Sequence, residues 1–208
     1  ISLGGIGVDP RQVWGGRGDR FRQKYRISSP IVLQLSKQII DKGSQHTVEA
    51  MKLLWSRGCD ATLVLAGQVT ENFDTYWFKQ PAEVLERTVL MDYVTQEEKK
   101  DLLDACDVFV MPSKAESFGL VYCEAWLYKK PVIGAFAGGV PALIEDGKDG
   151  FLVPYGDAHF LGETILGLLE RPALRQALGE VGYRKTLRDY TWEVQYQNVL
   201  RVYEYLTS

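Results

Sequence analysis

An α/β fold with a doubly wound, Rossmann-like parallel sheet is the architecture that this 208-residue sequence predicts. Short apolar runs that read as strands alternate along the chain with amphipathic stretches that read as helices. The strand-like runs are continuously apolar, which is typical of a parallel sheet covered by helices on both faces. Right-handed crossovers bring the strand–helix loops to one edge, so we expect ligands to bind at the carboxyl ends of the strands.

The predicted strands all lie in the middle of the chain. They are IVLQL at 31–35, ATLVLAG at 61–67, TVLMDYV at 88–94, DVFVMP at 107–112, PVIGA at 131–135 and FLVP at 151–154. The second run ends in Gly67 and the fourth at Pro112, residue types that commonly end a strand. A further short extended piece is expected at VPALI, 140–144.

Helices are predicted between the strands and after the last one. One follows the DKG sequence, where Val48, Met51 and Trp55 recur at helical spacing on one face. Another begins at Thr95, a residue type that caps helices, and runs to about Cys106. The remaining predicted helices cover 119–129, 157–169, 172–188 and 191–206. Residues 71–86 contain aromatic side chains but show poor periodicity, so they receive no assignment.

The domain organisation follows from these elements. Residues 1–30 are interpreted as a polar lead-in or interdomain segment, in which the RGD at 17–19 is a solvated loop. Residues 31–190 form the main α/β domain, and 191–208 form a C-terminal helix whose Trp192, Val199 and Tyr203 share one apolar face. Because the chain starts without Met, in a Gly-rich piece, we expect it to be part of a longer protein.

The composition excludes several classes of function. A net charge of −3 and a pI near 5.5 give no electrostatic footprint for nucleic acid or for an anionic membrane. The three cysteines lack CxxC spacing, which favours reduced core thiols in a cytoplasmic protein. No apolar run approaches the roughly 18 residues of a membrane span. No His, Asp and Glu cluster has the spacing of a metal site.

Three loops at the predicted binding edge tolerate anions. The first places Lys37 and Lys42 between a strand and a helix. The second, PSKAESFG, presents backbone N–H groups at the start of a helix, where phosphate groups commonly bind. The third is a turn with Gly138 and Gly139, free of bulky side chains. Together these loops predict a ligand that carries phosphate.

Two glutamates near the second loop add a different chemistry. Glu116 precedes the predicted helix, and Glu124 lies inside it, roughly 8 Å farther along the helix axis at 1.5 Å per residue. Carboxylates do not bind phosphate, but they accept charge-assisted hydrogen bonds from hydroxyl groups. Hydroxyl-seeking groups around a diphosphate site fit a nucleotide-sugar, in which ribose and hexose flank the diphosphate.

These motifs resemble a known family of enzymes. The sequence E116-S-F-G-x4-E124 resembles the EX7E signature of retaining family-4 glycosyltransferases with GT-B fold. The resemblance extends over most of the chain and includes GVD near the start, KG after the first strand, GGVP, EDGKDGFLVP and YTWE. It implies that 31–190 is the carboxyl-terminal, nucleotide-sugar-binding half of a GT-B fold, and that the acceptor-binding N-terminal domain is absent.

The resemblance also implies roles for individual residues. Glu124 would bind the ribose hydroxyls of the sugar donor, and Glu116 would contact hydroxyls of the transferred sugar. Lys37 and Lys42 would neutralise the diphosphate leaving group. The chain departs from the family at two positions: Lys37 stands where the family usually has Arg, and Ala142 stands where many relatives carry Glu. A lysine at position 37 keeps the positive charge but lacks the planar guanidinium group that makes a bidentate phosphate contact.

Main-chain groups complete the implied site. The amides of Phe118, Gly119, Leu120 and Val121 would hold the distal phosphate and the sugar. The main chain of Asp92, Tyr93 and Val94 would meet the base. The sugar donor would be a UDP-, GDP- or ADP-sugar, used without a metal or other cofactor.

The resulting hypothesis is a hexosyltransferase whose isolated carboxyl-terminal half is inactive. The acceptor would be a sugar, a lipid-linked or a small-molecule hydroxyl compound bound through the missing domain, which is also where any peripheral membrane contact would be made. Two alternatives stay open: a nucleotide-sugar epimerase of the same architecture, and a non-catalytic nucleotide-binding or scaffolding module. The sequence has only two histidines, which argues against the epimerase.

Overall fold

A six-stranded, all-parallel sheet organises the structure, a computed structural model that describes residues 6–207. Its strands are β1 Ile31–Leu35, β2 Thr62–Ala66, β3 Thr88–Met91, β4 Val108–Met111, β5 Val132–Ala135 and β6 Gly150–Val153. The strand order is β3-β2-β1-β4-β5-β6, and every neighbouring pair is parallel. The order reverses between β1 and β4, and such a switch point opens a crevice at the carboxyl edge.

Helices cover both faces of this sheet. They are α1 Pro10–Val13, α2 Gly18–Tyr25, α3 Ser44–Ser56, α4 Glu71–Trp77, α5 Ala82–Glu86, α6 Gln96–Ala105, α7 Leu120–Leu127, α8 Val140–Leu143, α9 Ala158–Leu169, α10 Pro172–Asp189 and α11 Trp192–Thr207, with a 3₁₀ turn at Ile40–Lys42. No helix within residues 6–207 has both the length and the apolar character needed to cross a bilayer.

The core consists of two apolar layers, one on each face of the sheet. Alternate residues of β1 enter different layers: Leu33 packs with Phe109 on one face, and Val32 packs with Val110 on the other. All four side chains are fully buried. Because strand side chains alternate between faces, burial on both faces requires the continuous apolar runs seen in the sequence. The predicted doubly wound sheet is confirmed.

The predicted start of α6 is also confirmed. The Thr95 hydroxyl accepts a hydrogen bond from the Glu98 N–H, and the Glu98 carboxylate accepts one from the Thr95 N–H, both at 3.2 Å. This reciprocal capping box satisfies two N–H groups that a helix start leaves unpaired. It also lowers the pKa of the Glu98 carboxyl group, chiefly through the Thr95 N–H, with a further contribution from Lys24.

The lead-in differs from its prediction. Residues 1–5 of this segment, like Ser208, lie outside the described residues. The RGD sequence is not a solvated loop, because Gly18 and Asp19 form the first turn of α2. Gly18 is buried against the backbone of Ala105, and its N–H donates to the Asp104 carboxylate at 2.6 Å. Long-range contacts of this kind leave no local signal in the sequence.

Two further segments differ from their predictions, and one that had no prediction is helical. The unassigned stretch 71–86 forms α4 and α5, and the apolar stretch 140–144 forms α8 instead of an extended piece. The predicted apolar face of α11 is not buried, since Trp192 and Tyr203 are 52% and 65% exposed. Its periodicity is helical, but within residues 6–207 more than half of each of these two residues stays exposed.

Close helix packing holds α7 in place. Gly182 of α10 lies against the buried ring of Trp126 in α7, and Gly179 lies against the backbone carbonyl of Lys129. A methyl group at either glycine would overlap these atoms. The two glycines therefore set how closely α10 approaches α7.

We expect Gly182→Ala to lower the free energy of unfolding by about 2 kcal/mol, because the added methyl group overpacks the Trp126 contact. Urea unfolding measures this loss. Gly167→Ala in α9 is the control, since apart from the adjacent residues and the backbone of α9 no atom lies within 4 Å of its added methyl group, and alanine favours a helix by up to about 1 kcal/mol. Equal stabilisation by both variants would contradict the packing assignment.

Candidate functional site

The amino terminus of α7 is the centre of the candidate site. Gly119 caps the helix in the left-handed conformation, with φ of 86°, which a residue with a side chain rarely adopts. Within residues 6–207, the N–H groups of Phe118, Gly119, Leu120 and Val121 donate to no acceptor. The loop thus carries the unpaired N–H groups that the sequence predicts, and such groups at a helix start attract anions.

A first pocket of about 880 Å³ opens beside this helix end at the carboxyl edge of β1, β2 and β3. Its lining residues are Leu35, Ser36, Ala66, Gly67, Gln68, Asp92, Tyr93, Val94, Lys99, Leu120, Val121 and Glu124. Six of them were candidates from the sequence: Asp92, Tyr93, Val94, Leu120, Val121 and Glu124. The fold thus brings two distant candidate segments into one pocket.

A hydrogen bond joins two loops that form the wall of the first pocket. The Asp92 carboxylate accepts a hydrogen bond from the Val69 N–H at 2.6 Å. Tyr93 is 81% exposed, and Val94 packs partly against the core. The side chain of Asp92 therefore holds the neighbouring loop, while the main chain of 92–94 borders the pocket.

Glu124 pairs with a lysine that the sequence did not single out. The Lys99 ammonium group lies 2.6 Å from Glu124 Oε1, and the two side chains are only 25% and 15% exposed. Lys99 is therefore largely withdrawn from solvent, unlike a residue on a solvated helix face. Lys99 comes from α6 and Glu124 from α7, and no periodicity in either helix indicates a contact between them.

Glu116 pairs with Lys42. The Lys42 ammonium group lies 2.5 Å from Glu116 Oε2, and the side chains are 25% and 17% exposed. Hydrogen bonds join the two loops, because Ser113 Oγ and the Lys114 N–H both donate to the Asp41 carbonyl, at 3.1 and 2.8 Å. The loops predicted to converge do so at these residues.

Gly138 and Gly139 support the Glu116 loop. Gly138 has φ of 57°, and the Gly139 N–H donates to the Glu116 carbonyl at 2.7 Å. A methyl group on Gly139 would overlap the carbonyl of Ser117. The space expected to be open to an anion is thus filled by this loop, and the Gly139 N–H is already bonded within the protein.

Lys37 and the Phe118 side chain lie apart from these groups. Lys37 is exposed, and its ammonium group has no ion-pair partner among residues 6–207. The Phe118 ring packs edge-to-face on Tyr190, with 5.4 Å between ring centroids. Phe118 therefore anchors the loop through its ring and offers only its main chain to a ligand.

Sequence reasoning also missed Ser36, Gly67 and Gln68. Gly67 has φ of 120°, and a methyl group there would overlap the Ser36 carbonyl. This close approach joins the ends of β1 and β2 beneath the first pocket. The glycine that ends the second predicted strand was the available signal for it.

The family model for glycosyl transferases group 1 matches residues 18–185. The chain belongs to this family. One relative of this glycosyltransferase chain is the alpha-D-kanosaminyltransferase of Streptomyces kanamyceticus, at 27% identity over 79% of this chain and 43% of the relative. Another is the mannosylfructose-phosphate synthase of Agrobacterium fabrum, at 27% identity over 88% of this chain and 42% of the relative. The chain spans about half the length or less of the first curated relatives it matches.

Solved structures share the fold of this glycosyltransferase chain. Anabaena HepE, crystallised with UDP, superimposes with a TM-score of 0.85 at 21% identity, over 95% of this chain and 56% of that chain. The C-terminal domain of a glycosyl transferase group 1 family protein from Francisella tularensis gives a TM-score of 0.79 at 22% identity, over 89% of this chain and 100% of that chain. The Rossmann-like fold expected from the family resemblance is confirmed.

We expect the Lys42–Glu116 pair to contribute about 1 kcal/mol of coupling free energy, because both groups are largely withdrawn from solvent. A double-mutant cycle with Lys42→Met and Glu116→Gln, followed by urea unfolding, measures it. The more exposed Lys52–Glu49 pair on α3 is the control and should give about 0.5 kcal/mol or less. Equal coupling free energies in both cycles would show that burial does not strengthen the Lys42–Glu116 pair.

Proposed function

We propose that this chain is the sugar-donor-binding domain of a retaining glycosyltransferase, which moves a hexose from a nucleotide diphosphate sugar to a hydroxyl acceptor. One observation carries the proposal. The unpaired N–H groups at the α7 amino terminus lie between two largely buried carboxylates, Glu116 before the helix and Glu124 within it. The N–H groups suit a diphosphate, and the carboxylates suit hydroxyl groups on either side of it.

The first pocket takes the nucleoside in this proposal. Its volume of about 880 Å³ and its position beside Glu124 suit a ribose with a base. The main chain of 92–94 meets the base, and Glu124 accepts hydrogen bonds from the ribose hydroxyls. The UDP bound to the structurally similar HepE supports a nucleoside diphosphate as the ligand class.

The diphosphate and the hexose lie toward Glu116. Lys42 already places a positive charge against this carboxylate, at 2.5 Å. When the sugar donor binds, Lys42 contacts the diphosphate and Glu116 accepts a hydrogen bond from a sugar hydroxyl. Lys37, on the exposed loop after β1, adds a second positive charge near the same edge.

Stabilising the leaving group is the catalytic task of this half. As the bond to the sugar breaks, negative charge grows on the diphosphate while the sugar becomes oxocarbenium-like. The α7 amides are fixed before the reaction, so they stabilise that charge without reorganising, and Lys42 adds its positive charge beside them. Retention of configuration and transfer without a metal are parts of the proposal. The acceptor binds to a preceding domain, and the present chain alone does not transfer sugar.

We expect Glu124→Gln and Lys42→Met each to weaken binding of the preferred nucleoside diphosphate by about tenfold or more, since each removes a charge-assisted contact. Calorimetry with UDP, GDP and ADP on the 208-residue chain identifies that ligand and measures the change. The control is Glu163→Gln on α9, whose carboxylate pairs with Arg57 on the surface.

Other outcomes separate the alternatives. If none of the three diphosphates binds to the folded chain, the proposal fails in favour of a scaffolding module. If the longer protein converts a nucleotide-sugar into its epimer without an acceptor, it fails in favour of an epimerase.

Removing divalent metal should leave nucleoside diphosphate binding unchanged within about twofold, because Lys42 and the α7 amino terminus supply the positive potential. Calorimetry in EDTA and in magnesium tests this expectation. A loss of tenfold or more in EDTA would show that a metal ion takes part.

A further inference from the structure

The Lys99–Glu124 pair forms part of a wall shared by two pockets. Both residues and Leu120 line the first pocket and also a second pocket of about 660 Å³ on the side of α1. Other ion pairs of α6, such as Arg20 with Glu97 and Lys24 with Glu98, fasten the helix to α2 and line neither of these pockets. Lys99 is therefore placed differently from the charged residues that precede it.

Both partners of the pair keep hydrogen-bonding capacity. Lys99 contacts Oε1 of Glu124, and within residues 6–207 no hydrogen bond reaches Oε2. An ammonium group has three N–H donors, of which the contact with Glu124 uses one. The pair thus offers an acceptor and a donor side by side at the first pocket.

A vicinal diol matches this pair of free groups. Each hydroxyl of a diol both donates and accepts hydrogen bonds, so one can donate to a carboxylate while its neighbour accepts from an ammonium group. A lone carboxylate can only accept. Ribose carries such a diol, and a 2′- or 3′-deoxyribose lacks one half of it.

Charge gives a second reason for a lysine at this position. An isolated carboxylate in the pocket would repel the diphosphate of the incoming ligand, and burial strengthens such repulsion. The Lys99 ammonium group at 2.6 Å neutralises Glu124 while leaving Oε2 free. The ligand then meets a neutral, polar wall instead of a negative one.

We propose that Lys99 is a specificity-determining residue that recognises the ribose diol of the sugar donor together with Glu124. This inference rests on the proposed function, since it takes the first pocket as the nucleoside site. Lys99 donates to one ribose hydroxyl, and the other hydroxyl donates to Glu124 Oε2.

The test compares nucleotides that differ only in the diol. UDP, GDP and ADP are titrated into the 208-residue chain, followed by the 2′-deoxy and 3′-deoxy forms of the tightest ligand. The variants are Lys99→Met, Lys99→Arg and Lys100→Met. Lys100 is the matched control, because it lies in the same helix but lines only the second pocket. Circular dichroism confirms that each variant is folded.

The inference expects the unmodified chain to prefer the ribonucleotide over each deoxy form by about tenfold. In Lys99→Met, the ribonucleotide should bind only about twofold or less more tightly than at least one of the deoxy forms. Lys99→Arg, which keeps a charged donor, should retain most of it, and Lys100→Met should retain all of it. A purely structural ion pair would change stability without changing these ratios.

Two results overturn the inference, and they are distinguishable. If a ribonucleotide binds but Lys99→Met leaves both ratios unchanged, Lys99 has only a structural role and the proposed function stands. If no nucleoside diphosphate binds to the folded chain, the proposed function fails and the inference fails with it.

Discussion

The start of α7 is the constraint on which the rest of this site depends. Gly119 caps this helix in the left-handed conformation, the first N–H groups of the helix are unpaired, and the preceding loop places Glu116 against Lys42. Close packing against α10 leaves α7 little room to shift, because Gly182 contacts the ring of Trp126 directly. The potential of the helix end is thus fixed in space before any ligand arrives, which lowers the reorganisation that binding requires.

Two ammonium–carboxylate pairs surround this helix end and give the free protein a stable resting state. Lys42 with Glu116 and Lys99 with Glu124 come from four different segments, so each pair also joins loops or helices that are distant in the chain. Partly buried charges without partners would be costly. A ligand that brings both phosphate and hydroxyl groups can rearrange the contacts without leaving a charge unpaired, which makes a molecule with mixed chemistry a better match than a simple anion.

The sequence predicted the fold well because its strongest signals are local. Continuous apolar runs set the strands, and Thr95 with Glu98 sets the start of α6. It also predicted that the Lys42 loop meets the Glu116 loop, because parallel strands carry their loops to one edge. What it could not predict were contacts between elements, such as the pairing of Lys99 with Glu124 or the burial of Gly18 against Ala105.

The difference between local sequence signals and contacts between elements also explains the two predictions that changed most. The glycine pair at 138–139 indicates close approach but not which atoms approach, and in the fold the Glu116 loop fills that space. Helical periodicity in α11 indicates an apolar face but not what covers it. Residue type and spacing therefore define the surface that each element presents, while topology decides what that surface meets.

The hydrogen bond between the Val69 N–H and the Asp92 carboxylate leaves the neighbouring position 93 free to vary in sequence. The carboxylate holds both loops, so the adjacent Tyr93 ring, 81% exposed, has little part in keeping the wall in shape. Substitutions at position 93 carry a small folding penalty. A lineage can thus exchange this ring for other side chains at the pocket mouth while the scaffold beneath stays the same.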